Sequence, residues 1–386
     1  MFYLLKLSLR NLLRHKLRSG LTALGMIVAI VAFGLLRTVV DAWYAGADAT
    51  SATRLITRNA ISLVFTLPLS YRNKIRQVEG VNSVSYADWF GGVYIDEKNF
   101  FPQFAIEPSS YLDLYPEYLL PERQKRDFLR DRKGAIAGRK VAAEYGWKIG
   151  DVIPLRGTIY PGSWSYVLRG IYRGADPKTD ETQFFFHWEY LNERAKKRSS
   201  PLSDRVGIYV VGIREPGLAA EISETIDQGF KNSLAETLTE TEKAFQLGFV
   251  AMTEAIVIVI RAVSLVVIAI ILAVAANTMA MSARERRREH ATLRALGFGP
   301  TFPALAIIYE SLTLAVFAGL IGIALTYPMA DFFAGKVGTL FPVFQVSPQT
   351  VWMAFAASLL VGLAAAAAPA WECYRMRITD GLSSVG

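Results

Sequence analysis

The stretch SARERRREHATLRALGFGP, Ser282–Pro300, follows 22 uncharged residues, 262–283, and then sets Arg284, Arg286, Arg287, Arg288 and Arg294 around Glu285, Glu289 and His290. An uncharged run of that length matches the roughly 20 helical residues that cross a hydrocarbon core about 30 Å thick. Arginines packed directly behind such a run mark the side of the membrane on which it ends. Working outward, three more segments have the same character: 19–40, 307–330 and 351–370. Between the first two spans lies a long stretch of mixed polarity, a domain in its own right.

Composition agrees with a membrane protein that carries a sizeable soluble part. Of 386 residues, 52% are hydrophobic, and the net charge of +8 gathers beside the apolar runs instead of forming one basic stripe. That placement argues for membrane orientation and against nucleic acid. A single cysteine, Cys373, excludes an intramolecular disulfide and any cysteine-based zinc or iron–sulfur centre. His15, His187 and His290 lie far apart and lack metal-ligand spacing, so neither a metal nor a catalytic centre is expected.

Lysine and arginine also set the topology. Lys6, Arg10, Arg14, Lys16 and Arg18 precede span one, the five arginines follow span two, and Arg375 and Arg377 follow span four, whereas the loop after span three holds only Asp331 and Lys336. All three basic flanks are expected to face the cytoplasm, with both termini inside and the large domain outside. The expected class is an α-helical membrane protein with four transmembrane helices and a large mixed α/β extracytoplasmic domain between the first and second. In order, the chain divides into a cytoplasmic amphipathic helix (1–18), span one (19–40), an outer domain with a helical stalk (41–248), the stalk end and span two (249–283), a cytoplasmic loop (284–302), span three (303–330), a short outer loop (331–350), span four (351–371) and a cytoplasmic tail (372–386). Lys6, Arg10, Arg14 and Arg18 form one stripe beside Leu5, Leu9, Leu13 and Leu17, which suits a helix lying at the membrane surface. That organised helix, and an apolar run longer than a signal-peptide core, favour a retained span over a cleaved leader.

Within the outer region VNSVSYADWFGGVYI, SWSYVLRGIYRG and RVGIYVVGI alternate like strands, AGRKVAAEYGW predicts a short helix, and IGDVIPLRG predicts a turn into a strand. Part of the proline-free sequence after Pro216 predicts a helix that runs straight into span two and projects beyond the membrane. PERQKRDFLRDRKG interleaves acids with bases and predicts a solvated helix. Runs such as TQFFFHWEYL are expected in the core, with a fraction left as apolar contact surface.

At this point the residues resemble a known family, the MacB/FtsX-type ABC transporter permeases. Arg284, Arg288, Glu289, Leu293, Arg294, Ala295 and Gly297 resemble its cytoplasmic loop pattern, SLRNLLRHKLRSGLTALGMIVAIVAF resembles its first helix, and GAIAGRKVAAEYGWKIGDVIPL resembles part of its MacB-like periplasmic core domain. His290 and Ala291 stand where the family often has Ile-Gly, and Ile378-Thr379 replaces its usual Asp-Pro. The resemblance implies a permease subunit of the bacterial inner membrane that exports a lipid, lipoprotein, peptide or drug by mechanotransmission, pairing with a second permease copy or paralogue. An FtsX-like transducer that controls a cell-wall hydrolase is the alternative. The chain lacks G-x-x-x-x-G-K-[ST], so ATP and Mg are expected on a separate ABC ATPase subunit and no cofactor on this chain. A periplasmic adaptor and an outer-membrane channel are further partners where the host has two membranes.

The opening stretch then gains a specific reading. Residues 284–296 favour a helix, and Gly297 followed by Gly299-Pro300 ends it. The resemblance implies a coupling helix that docks on the ATPase, with Leu293 and Leu296 entering a groove. Glu310 lies deep in span three and must be paired or face inward, with Asn277 or Thr278 of span two expected as partners. Gly319 and Gly322 are expected at close helix contacts.

Overall fold

The computed structural model describes residues 16–48, 50–337 and 343–376, together with Arg10 and Arg14. Of the expected stripes Leu5, Lys6, Leu9 and Leu13 lie outside the described residues, as do His15, Arg377 and Ile378-Thr379. Two compact units emerge: one contains the chain up to Asp41, Glu254–Lys336 and the chain from Phe344, and the other contains Ala42–Thr253 with 337–343.

In chain order, α1 (Lys16–Asp48) is followed by a mixed sheet domain. Its strands are β1 (Arg54–Asn59), β2 (Leu67–Pro68), β3 (Val81–Trp89), β4 (Gly92–Val93), β5 (Gln103–Ile106), β6 (Tyr118–Leu119), β7 (Gly134–Gly138), β8 (Val152–Gly157), β9 (Gly162–Gly174), β10 (Phe184–His187), β11 (Arg205–Val206), β12 (Ile208–Ile213) and β13 (Thr237–Thr241). Its helices are α2 (Tyr71–Arg76), α3 (Pro108–Leu114), α4 (Glu122–Arg130), α5 (Arg139–Glu144), α6 (Trp188–Lys197), α7 (Ala219–Gly229) and α8 (Glu242–Met252). The main sheet runs β13-β1-β12-β3-β5-β10-β7-β9-β8-β4, with β6 added to β9. Neighbours are antiparallel except β5 with β10 and β7 with β9, which are parallel.

Strand alternation turns successive side chains to opposite faces, and Phe184-Phe185-Phe186 of β10 displays the result. Phe184 and Phe186 join one buried cluster with Tyr166, Trp188 and Ile222, while Phe185 joins the other with Tyr111, Phe128 and Tyr172. All three phenylalanines are fully buried, so the sheet is covered on both faces, and each ring contributes about 1.5–3 kcal/mol by leaving water. Trp89 and Phe100, with ring centroids 6.3 Å apart, remain partly exposed. In α4 only Phe128 is buried and the charged residues line the outside.

The helix expected to run from part of the sequence after Pro216 straight into span two is interrupted. A short 3-10 turn leads into α7, then β13, then α8, and a break at Thr253 separates α8 from α9 (Glu254–Glu285). Thr253 directs both its N–H and its hydroxyl to the Val250 carbonyl, each at 3.0 Å. The Trp43 indole donates to the same hydroxyl at 2.6 Å. A threonine that bonds back along the chain competes with the regular helical ladder, which is the local cause of the break. At the other end of α8, buried Arg54 of β1 donates to Glu242 at 2.7 Å and to Glu117 at 2.6 Å, and its guanidinium lies 4.2 Å from the Tyr115 ring centre. These charges are paired and hydrogen-bonded, which is the condition for burying them.

After α9 come α10 (Arg287–Ala295), α11 (Thr301–Val337) and α12 (Pro348–Arg375). Among the described residues, α1, α9, α11 and α12 are the four helices long and apolar enough to cross a membrane. The chain is thus a four-span membrane protein with a mixed α/β domain between the first and second spans.

One buried acid makes the sheet domain sensitive to pH. Burial raises the Asp88 carboxyl to about 7, a rise that the hydrogen bond from the Tyr160 hydroxyl partly opposes. Between the ordinary carboxylate value near 4 and about 7, the folded protein holds a proton that the unfolded chain releases. Stability contributed at this site is therefore full below the window, falls as pH rises through it, and is level above it. Asp88→Asn should flatten that slope and raise the melting temperature above pH 7, as checked by thermal unfolding of the whole protein across this range.

Candidate functional site

The candidate site is built at the junction of α9, α10 and α11. α9 ends at Glu285, Arg286 makes the bend, and α10 follows at once. The C-terminal stop of α10 is the glycine motif that the sequence announces. Gly297 has φ +94°, its N–H donates to the Arg294 carbonyl at 3.1 Å, and the Phe298 N–H reaches back to the Leu293 carbonyl at 3.2 Å. This pair of reversed bonds satisfies carbonyls that would otherwise end the helix unpaired.

Glu310 is buried in α11, yet its partners are neither Asn277 nor Thr278. The Arg286 guanidinium donates to one carboxylate oxygen at 2.7 Å, and the Ser282 hydroxyl donates to the other at 3.3 Å. Asn277 is exposed on α9, and Thr278 instead bonds the Val274 carbonyl and receives the Thr22 hydroxyl. Matching depths along two helices compares backbone heights. Arginine and glutamate are both long enough to meet well away from their own backbone levels, and the stronger charge-assisted bond decides.

Arg286 has a second carboxylate. Its Nε donates to Glu289 at 2.9 Å, and Glu289 in turn accepts from Arg14 at 2.7 Å. Burial tends to raise the Glu289 carboxyl, but Arg286 and Arg14 outweigh it and hold the group below its usual range. Arg18 donates to Glu285 at 2.6 Å beside this chain of charges. The network Glu310–Arg286–Glu289–Arg14 therefore ties α11, α10 and the segment before α1 together. Arg286 and Arg14 are the members that sequence reasoning missed, since both read there as topology markers. The 24-residue separation of Arg286 from Glu310 carries no pattern that predicts the pairing.

The remaining expected residues divide between two faces of α10. Inward, His290 and Ala291 are buried, and Arg294 donates to the Met376 carbonyl at the end of α12. Burial first, and Arg286 second, lower the His290 imidazole to about 4, so it packs as a neutral group. That explains how histidine stands where an apolar residue is usual. Arg288, Leu296 at 72% exposure and Phe298 at 46% are exposed, as is Arg284 in the last turn of α9, which lines a small pocket with His290 and Cys373 of α12. Leu293 is half-buried. The exposed apolar pair is thus Leu296 with Phe298, not Leu293 with Leu296.

Small residues set the spacing of the bundle. A Cβ on Gly322 of α11 would fall 2.8 Å from Ile30 Cβ and 3.2 Å from the Ile27 carbonyl oxygen of α1. One on Gly319 would fall 2.5 Å from Ser358 Oγ of α12. The Ser311 hydroxyl also donates to the Gly362 carbonyl at 2.7 Å, closing α11 on α12. At the opposite end Asp41, paired with Arg37 at 3.4 Å, accepts from Ser347 at 2.6 Å and Thr350 at 2.8 Å, which pins α1 to the first turn of α12. Among the described residues no cluster of acids, histidines or cysteines could hold a metal ion.

The contacts at Gly322 are with backbone and branched atoms that cannot move aside. Gly322→Leu should destabilise the bundle by about 1–3 kcal/mol through overpacking. Gly20→Leu, where a Cβ meets open space, should be neutral or stabilising. Thermal unfolding of the two variants in detergent checks the contrast.

A protein of Methanocaldococcus jannaschii that carries the name ABC transporter permease is 24% identical over 310 residues, covering 77% of this chain and 74% of its own. Two solved domains overlap with TM-scores below one half. The extracellular domain of the noncanonical ABC-type transporter YknZ from Gram-positive bacteria gives 0.36 at 11% identity, covering 49% of this chain and 98% of that domain. A domain from Porphyromonas gingivalis, described as part of a permease, gives 0.33 at 15%, covering 48% and 88%. Residues 261–378, which hold α10, α11, α12 and most of α9, match the FtsX-like permease C-terminal family. The membrane-spanning part of the chain that carries the Arg286–Glu310 pair is thus similar to the FtsX-like permease C-terminal family.

Proposed function

We propose that the chain is the membrane subunit of an ABC-type complex whose ATP and Mg are held by a separate ATPase, and that α10 is the element on which the ATPase acts. The observation that carries this reading is the division of α10 into two faces. The inner face is fastened to α11, α12 and the segment before α1 by Glu310–Arg286–Glu289–Arg14, His290 and the Arg294–Met376 bond. Leu296 and Phe298, just past the end of α10, are exposed, as is Arg288 on the helix, apolar and charged groups of the kind that partner surfaces use. A short helix fastened in this way moves only with its bundle, so a push on its outer face becomes a shift of the membrane helices.

The distribution of basic residues supports an orientation with α10 and both termini in the cytoplasm and the α/β domain outside. In this arrangement ATP-driven movement of the bundle would do its work on the outer domain, exporting a lipid, lipoprotein, peptide or drug across or away from the inner membrane. α9 is the most apolar of the four spans and the least buried within the chain. Its exposed Ile258, Val259, Leu265, Val266 and Ile270 suit lipid or a second permease copy.

Replacing the exposed apolar pair tests the docking role without touching the inner face. After gentle detergent extraction an ATPase should co-purify with the wild-type chain. Leu296→Ser with Phe298→Ser should reduce the co-purified ATPase about tenfold, as the loss of two central contacts in a small interface does. Absence of any ATPase from the wild-type preparation, or full retention by the double variant, would overturn the assignment.

A further inference from the structure

The α/β domain has an open groove of about 910 Å³, between the segment 119–124 and α5 with the turn that follows it. That volume falls within the range of sites that enclose one small ligand. The wall is hydrocarbon: Leu119, Leu120, Ala143, Trp147, Ile149 and Ile171. Trp147 has its only donor engaged, since its indole N–H bonds the Tyr94 hydroxyl at 3.0 Å. The Gln124 side-chain oxygen is likewise taken by the Ile171 N–H at 3.0 Å, which leaves its amide N–H groups as donors.

Charge at the mouth is of one sign. The charged residues lining the groove are Arg139, Lys148 and Arg173, with no carboxylate among them. Arg139 is already occupied, with Nε and Nη2 both on Glu181 at 3.1 and 2.9 Å. Among the described residues Lys148 and Arg173 form no such ion pair. The nearest acid to Lys148 along the chain, Asp151, accepts its backbone N–H at 2.8 Å and lies outside the lining. An apolar trough with two unengaged cations at its edge complements a molecule with an apolar body and an anionic end.

We propose that this groove binds a single-chain anionic amphiphile, with the hydrocarbon chain along the 119–124 and α5 walls and the carboxylate or phosphate head on Lys148 and Arg173. Leu119 and Ile149, each about half exposed, are covered when the chain is in place. Each buried methylene adds to the affinity, so the chain supplies binding strength and the two cations select the head. Binding here does not depend on how α10 meets an ATPase, and either assignment can fail alone.

Photolabelling of the full chain in lipid nanodiscs tests the site. The probe is a diazirine-bearing fatty acid, with the matching fatty alcohol as its neutral counterpart. The acid should label peptides containing 119–124 and 142–149, and the alcohol should label them much less. Lys148→Glu with Arg173→Glu, both at exposed positions, should lower labelling by the acid about tenfold, a change of about 1.4 kcal/mol. Ala143→Phe should block the trough to both probes. Competition by free oleate and by lysophosphatidylglycerol separates a carboxylate head from a phosphate head, and displacement by either supports the site. Labelling confined to the membrane helices would overturn the proposal. So would unchanged labelling in the charge-reversed chain when its melting temperature is normal, or displacement by an acidic peptide alone.

Discussion

The buried ion pair between Arg286 and Glu310 is the constraint around which the membrane half is organised. A carboxylate inside a helix bundle is tolerated only when a partner satisfies it, and removal of one member of such a pair costs about 3–5 kcal/mol because the other is left unpaired. Glu310 meets its guanidinium at 2.7 Å, with Ser282 on its second oxygen. Since Arg286 is also the residue at which the chain turns from α9 into α10, satisfying Glu310 fixes the start of α10 against α11. The other ties then follow the direction that this bend imposes. Glu289 completes the Arg286 fork and draws in Arg14, while His290 and Ala291 close the inner face.

This dependence accounts for a departure that the sequence presents as a lapse. Histidine in place of an apolar residue is unfavourable when charged, but next to Arg286 and out of water the imidazole is held neutral to about pH 4. A neutral ring and a methyl group, His290 and Ala291, make a face that packs. The polar residues of the opening stretch accordingly serve two purposes. Arg286, Glu289 and Arg294 make internal bonds, and Arg284 and Arg288 remain on the outside with Leu296 and Phe298.

Much of the fold is legible in the sequence because its signals are local. Uncharged runs of membrane length, strand alternation in SWSYVLRGIYRG and the Gly297 stop each depend on neighbouring residues alone. What is not legible depends on distant partners. The break at Thr253 depends on a hydroxyl that bonds back to Val250 and receives Trp43 from far earlier in the chain. The partner of Glu310 is chosen by charge and by side-chain reach, neither of which periodicity encodes. Sorting α10 into inner and outer faces likewise required knowing where α12 ends. Helical spacing made Leu293 and Leu296 equal candidates, and only the packed bundle shows that Leu296 pairs with Phe298 in exposure.

Exchange of the two charges tests the central claim most directly. Arg286→Glu and Glu310→Arg should each lower the melting temperature of the protein. In the double exchange the attraction between positions 286 and 310 is restored with reversed polarity while the bond to Glu289 stays lost, so stability should recover part of the single-variant loss, to a level above the sum of the two single effects. A double variant as impaired as the sum of the two singles would contradict the claim, because it would mean that Arg286 and Glu310 act separately and that α10 is held by something else.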